Sequence, residues 1–141
     1  MGGLHQAAVA AAQAAGVEAE LLELIRIRAS QINGCAFCID MHTKDSRAKG
    51  ESEQRLYALN AWQETPFFTP RERAALALTE AITLVHDGRV PDPVYQAAAE
   101  VFTADELAAV IWAGVVINAY NRIAIATRMP VGGYQAKPVE G

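Results

Sequence analysis

Residues 33–42 read Asn33-Gly34-Cys35-Ala36-Phe37-Cys38-Ile39-Asp40-Met41-His42, and whether they form a helix or a turn decides what kind of chain this is. The stretch holds both cysteines of a 141-residue protein and one of its three histidines. Upstream, Val17, Leu21, Leu24, Ile25, Arg28 and Ile32 recur at helical spacing, and Asn33-Gly34 is a stop signal for such a helix. Gly34 can also supply the sharp turn from which a second helix begins. Read as helical, the segment places Cys35, Cys38 and His42 at i, i+3 and i+7, within a sector of about 60° on one face. Cys38 and His42 are then one turn apart, close enough for the imidazole to act on the thiol directly or through one water.

Thiol chemistry needs such a neighbour. A free thiol has a pKa of about 8.5 and is only a few per cent ionised at neutral pH. An imidazole can take its proton or, as a cation, hold the thiolate, and a helix N-terminus adds partial positive charge. The two cysteines can also close on each other. Helical residues at i and i+3 have Cβ atoms about 5–6 Å apart, whereas a relaxed disulfide wants about 3.5–4.5 Å. A Cys35–Cys38 bridge is therefore expected to distort the first turn and to be easily reduced, as a cycling bond must be. Competing uses remain open. The cysteines can be small buried hydrophobes, or ligands of zinc together with His42. Structural zinc usually takes four protein ligands, with the Cys-x-x-Cys on a turn, and His5 and His86 have no companion at metal spacing. A stabilising structural disulfide is disfavoured because so short a loop constrains the unfolded chain little. The pair is read as redox-active, with no metal and no cofactor.

Composition narrows the setting. A chain of this length is expected to be one domain that buries about two-thirds of its unfolded surface. Its net charge of −4 and isoelectric point near 5.3 argue against nucleic acid or an anionic membrane as the main partner. Residues 1–16 are alanine-rich but lack the basic start and apolar core of a signal peptide. Gln6 stands where a myristoylation signal wants Ser or Thr. The longest apolar run, residues 107–117, is expected to be too short to span a bilayer. The expected location is the cytoplasm, where a Cys-x-x-Cys is more often catalytic than structural.

Outward from the cysteine segment the pattern stays helical. Helices are predicted over residues 4–15, ended by Gly16, and over 17–32 and 36–49. Another, capped by Ser52, is predicted to run to about Trp62. Thr69-Pro70-Arg71-Glu72 is a complete start signal, with a Thr cap, Pro at the first position and Glu three residues after the cap. That helix should run to about His86 and stop before Gly88. Asp92-Pro93 opens a short helix to about Phe102, and Thr103-Ala104-Asp105-Glu106 starts the longest one, to about Arg128. No alternating strand pattern is present, so the fold class is all-α: a helical domain over residues 1–128 and an irregular tail over 129–141. Val110, Ile111, Trp112, Val115, Val116 and Ile117 leave the last helix almost no polar face, which suits a central core helix or a subunit interface. Asn118 and Arg122 on it can be structural or functional.

The residues resemble a known family. Glu23, eleven intervening residues, Cys35-x-x-Cys38, three more residues and His42 form a spacing much more specific than Cys-x-x-Cys alone. It is similar to the core motif of the AhpD-like alkylhydroperoxidases of the carboxymuconolactone decarboxylase superfamily. The similarity continues through residues 57–62, 69–81 and 121–124, and covers roughly residues 18–130. The resemblance implies an all-helical AhpD-like fold, homo-oligomers (trimers or hexamers) and reduction of hydroperoxides by a thiol pair. It implies that Cys38 attacks the peroxide and that Cys35, the exposed sulfur, resolves the sulfenic acid as a disulfide. His42 and Glu23 would form the proton relay, and an external dithiol, such as a lipoylated or thioredoxin-like protein, would restore the thiols. On its own helix Glu23 sits beside Ile27 and Ser30 and could pair with Arg26 as an ordinary surface salt bridge. The better-studied peroxidases of this kind carry a histidine immediately before the second cysteine, where this chain has Phe37. Two further functional classes are a carboxymuconolactone-decarboxylase-like enzyme, whose chemistry does not rest on a Cys-x-x-Cys, and a non-catalytic thiol redox sensor.

Overall fold

In the computed structural model, which describes residues 2–138, the stop signals of the sequence become the corners of the fold. Gly16 (φ +81°) ends α1 (Gly2–Ala15), and Gly34 (φ +69°) ends α2 (Ala19–Asn33). Both take left-handed backbone angles that a side chain disfavours. The Gly34 N–H returns to the carbonyls of Gln31 and Ser30, so α2 closes tightly and α3 (Ala36–Ala48) starts two residues later. Ser52 caps α4 (Glu53–Ala58). Capping boxes built by Thr69 with Glu72 and Thr103 with Glu106 open α5 (Pro70–Thr83) and α7 (Ala104–Ala126). Between them α6 (Asp92–Val101) carries Pro in its first turn. Among the described residues there is no strand.

Three helix ends differ from expectation. The helix predicted to reach Trp62 stops at Ala58 and tightens into a 3₁₀ segment, Leu59–Glu64, with Ala61 non-helical (φ −123°, ψ 34°). This rewinding turns Leu59 and Trp62 inward against Leu24, Ile27, Phe68 and Leu76, while the indole N–H donates to Glu80 Oε1 at 2.7 Å. Burying side chains of that size stabilises by about 1.5–3 kcal/mol each, more than the local helical preference they override. α5 ends at Thr83 rather than near His86, because Leu84 and Val85 face solvent and give the chain no apolar stripe to continue. α7 ends at Ala126, and Arg128 turns left-handed (φ +53°).

Helix α2 is the hub, packed on α3, α5 and α7. It buries Leu21, Leu24, Ile25 and Ile27. The helix that carries residues 107–117 is 23 residues long, and by length and composition alone it could cross a membrane, contrary to the expectation from the shorter run. In this fold it packs on α1, α2 and α5 and buries Leu107, Val110, Val116 and Ile117, which is the position of a core helix. One polar seam fixes it there. Asn33 Nδ2 donates to Asn118 Oδ1 and Asn121 Oδ1, both at 2.9 Å. Asn121 Nδ2 donates to Ser30 Oγ at 2.9 Å, and Asn118 Nδ2 to Thr83 Oγ1 at 3.0 Å. These amides, with Asn121 fully buried, satisfy one another, and Asn118 is thereby structural. Arg122 donates back to Asn118.

The segment after α7 has no regular structure through residue 138, and residues 139–141 of the expected tail lie outside the described residues. It folds back along α3. Lys44 Nζ donates to Tyr134 O at 3.1 Å, and the Tyr134 hydroxyl donates to Asp45 Oδ1 at 2.8 Å.

Candidate redox site

The turn at Gly34 places Cys35 immediately ahead of α3, with extended backbone angles (φ −81°, ψ 92°), as the helix N-cap. Its Sγ accepts the N–H of Cys38 at 3.3 Å. Cys35 and Cys38 are joined by a disulfide with their Cα atoms 5.4 Å apart, inside the ordinary range for a bridge. Two expectations change here. Cys35 lies outside the helix rather than at i of an i, i+3 pair, so closing the bridge does not require the first turn of α3 to open. Nor is Cys35 the exposed sulfur: it is 1% exposed and Cys38 2%. Both pack against Ala124 of α7, with Phe37 alongside. Helix α7 covers the cysteines, a contact that local spacing does not announce.

Glu23 pairs with Arg26, as its own helix suggests, but the pair is not at the surface. Glu23 is 3% exposed, and its carboxylate is fully subscribed. His42 Nδ1 lies 2.9 Å from Oε2, while Arg26 Nη1 and Lys49 Nζ each donate to Oε1 at 2.9 Å. Burial alone would push its pKa up. The hydrogen bond from His42, the charge of Arg26 and the hydrogen bond from Lys49 outweigh that and hold it at about 2. Glu23 is therefore a carboxylate at neutral pH and can only accept. His42 Nδ1 must carry the hydrogen between them, which leaves Nε2 as the nitrogen able to take a proton. Glu23, His42 and Asp45 bring ligand atoms within 4.8 Å of one another, a spacing a metal could use. Here, though, Glu23 Oε1 is shared by two cations and Asp45 accepts from Tyr134, so the cluster is an ion-paired network.

Cys38 and His42 open onto one cavity of about 420 Å³ between α1, α3 and α7. Its walls are mostly apolar, with Phe37 and Met41 on one side and Ile117 and Ile123 on the other. Cys35 is not among the residues that line it. His5, which the sequence left without a companion, does line it. Its ring stands edge-on to Tyr120 with centroids 6.1 Å apart. Burial, then the charge of Arg26, lowers its pKa below the usual histidine value against the opposing pull of Glu23, so the neutral form of His5 prevails at pH 7. No spacing rule links residues on separate helices, so sequence reasoning had no signal for it. His86 is exposed in the turn after α5. Phe37 lines the cavity where the better-studied peroxidases have a histidine, so an apolar ring replaces a polar one beside Cys38.

The helical frame and the cysteine site together define a family. The chain belongs to the carboxymuconolactone decarboxylase family, whose model matches residues 3–81. It is 52% identical over 104 residues to the uncharacterized protein YdfG of Bacillus subtilis (strain 168), covering 74% of this chain and 71% of that one. It is 32% identical over 61 residues to the uncharacterized protein YnjA of Escherichia coli (strain K12), covering 43% of this chain and 34% of YnjA. Among solved structures it is similar to ATU0492 of Agrobacterium tumefaciens, a protein of unknown function proposed to be the antioxidant defence protein AhpD. That match has a TM-score of 0.83 and 37% identity over 92% of this chain and 91% of that one. The debrominase Bmp8 shares the fold alone, at a TM-score of 0.70 and 18% identity over 82% of this chain and 62% of that one. Family and fold agree with the AhpD-like resemblance of the sequence.

Proposed function

We propose that the protein is a thiol-dependent hydroperoxide reductase. The observation that carries this reading is that Cys38 and His42, the latter held by Glu23, face one apolar cavity. His42 Nε2 takes the Cys38 proton, and the thiolate attacks the terminal peroxide oxygen. An S–O bond forms, the O–O bond breaks, and the proton returns from His42 to the departing alkoxide. Cys38 is now a sulfenic acid. Cys35 displaces its hydroxyl as water and closes the disulfide, and two electrons from an external dithiol, lipoylated or thioredoxin-like, reopen it. The thiol pair serves as the whole redox centre, in a cytoplasmic setting that keeps thiols reduced.

Steady-state peroxide consumption with a dithiol tests this. Wild type should turn over, and Cys38→Ser should fall to background. Cys35→Ser should retain a single oxidation event and trap a sulfenic acid on Cys38 that a dimedone-type probe labels. A protein that forms the disulfide but does not turn over would be a redox sensor. Peroxide consumption that survives Cys38→Ser would overturn Cys38 as the attacking thiol.

We also infer a closed homo-oligomer, trimer or hexamer. Trp112, Val115 and Ile125 on α7 are 53%, 43% and 48% exposed, a large apolar display for one helix. Light scattering coupled to size exclusion should give three or six times the 15.1 kDa chain mass, and the single-chain mass would overturn the assembly.

A further inference from the structure

We propose that the external dithiol attacks Cys38, not Cys35, and reaches it through the same cavity that admits the peroxide. This inference rests on the dithiol cycle above and runs against the implication of the resemblance that Cys35 is the exposed sulfur.

Two independent features lead there. The first is access. Both sulfurs are almost fully buried, so a reductant needs an opening, and Cys38 lines the cavity whereas Cys35 does not. The second is the leaving group. Thiol exchange is faster when the departing sulfur is the better-stabilised thiolate. Cys35 caps the N-terminus of the 13-residue α3, and its Sγ accepts the Cys38 N–H. A thiolate there gains a hydrogen bond and the positive end of the helix dipole. The sulfur that can be reached and the sulfur that leaves well are thus different atoms, arranged in the order that exchange requires.

The step balances as follows. One thiolate of the reductant bonds to Cys38 Sγ, the Cys35–Cys38 bond breaks, and its electron pair departs on Cys35 Sγ. The second thiolate of the reductant then attacks its own partner sulfur in the mixed disulfide. Cys38 leaves as a thiolate, and the reductant departs as a cyclic disulfide, having given two electrons. Its two protons end on Cys35 and on the Cys38–His42 pair. A reductant entering this way must present a slender dithiol, and it must compete with peroxide for the cavity.

The test uses oxidised wild-type protein exposed briefly to 2-mercaptoethanol, quenched with N-ethylmaleimide and mapped by peptide mass spectrometry. The expected product carries mercaptoethanol on Cys38 and maleimide on Cys35, at least tenfold over the reverse. The reverse product, or an even mixture, overturns the proposal. Cys35→Ser and Cys38→Ser, each treated with 5,5′-dithiobis(2-nitrobenzoate), provide a second reading. The remaining Cys38 should react at least tenfold faster than the remaining Cys35, and equal rates overturn the access argument. Neither measurement needs peroxide turnover. A protein that exchanges at Cys38 yet consumes no peroxide would refute the peroxidase reading and leave this one standing.

Discussion

Replacing His42 with alanine is expected to slow peroxide turnover by about 10²–10⁴-fold, the usual range for loss of a positioned acid–base group. In the proposed cycle two proton movements depend on it: out of the Cys38 thiol before attack, and onto the alkoxide after the O–O bond breaks. The substitution should act on chemistry more than on folding, since Glu23 keeps Arg26 and Lys49 as partners when the imidazole is gone. Alkylation of Cys38 by iodoacetamide in a Cys35→Ser background isolates the first movement. With His42 present, the rate near pH 7 should already approach its value at pH 9. With alanine it should rise steeply toward pH 9, following an ordinary thiol pKa of about 8.5. The same pH profile in both proteins would reduce His42 to a packing residue.

The second large effect is on stability. Glu23 has a folded pKa of about 2 against 4.5 as a model group. Its contribution is therefore fully present above pH 4.5 and is lost as pH falls from 4.5 through 2. The size is on the order of 3 kcal/mol, from 1.36 kcal/mol per pKa unit. Glu23→Gln removes the charge but keeps the shape, and leaves Arg26 and Lys49 facing a neutral amide. Breaking a buried pair this way costs about 3–5 kcal/mol, toward the lower figure here because Lys49 reaches water. A fall in Tm of about 10 °C at pH 7 follows. Urea denaturation of both proteins at pH 7 and pH 2.5 checks the cause. The gap should be wide at pH 7 and narrow in acid, where wild type has lost most of the same interaction. An equal gap at both pH values would assign the loss to packing.

Sequence and structure agree where a signal is local and part where it is not. Thr69, Thr103, Gly16 and Gly34 act on their immediate neighbours, and the helices begin or end beside them as read. The end of α4 depends on Trp62 reaching Glu80, a partner on α5, and a window of sequence around Trp62 does not contain that contact. The site divides the same way. Cys38 and His42 share α3, so their common face was legible from spacing. Glu23 was legible only through its resemblance to a known motif, because its own helix suggested a surface pair with Arg26. What buries it is the approach of α3 carrying His42 and Lys49. The resemblance implies an exposed Cys35. Ala124, at the far end of the chain, is what closes over it.

The placement of the cavity walls has a consequence for how such a protein can diversify. The charged machinery sits on α2 and α3, while much of the chamber is contributed by α1 and α7, through His5, Gln6, Ile117 and Ile123. None of these four belongs to the ion-paired network or to the disulfide. Substitutions on α1 can therefore reshape what the chamber admits while the redox couple stays as it is. In evolutionary terms, guest and chemistry are separable characters carried on different helices.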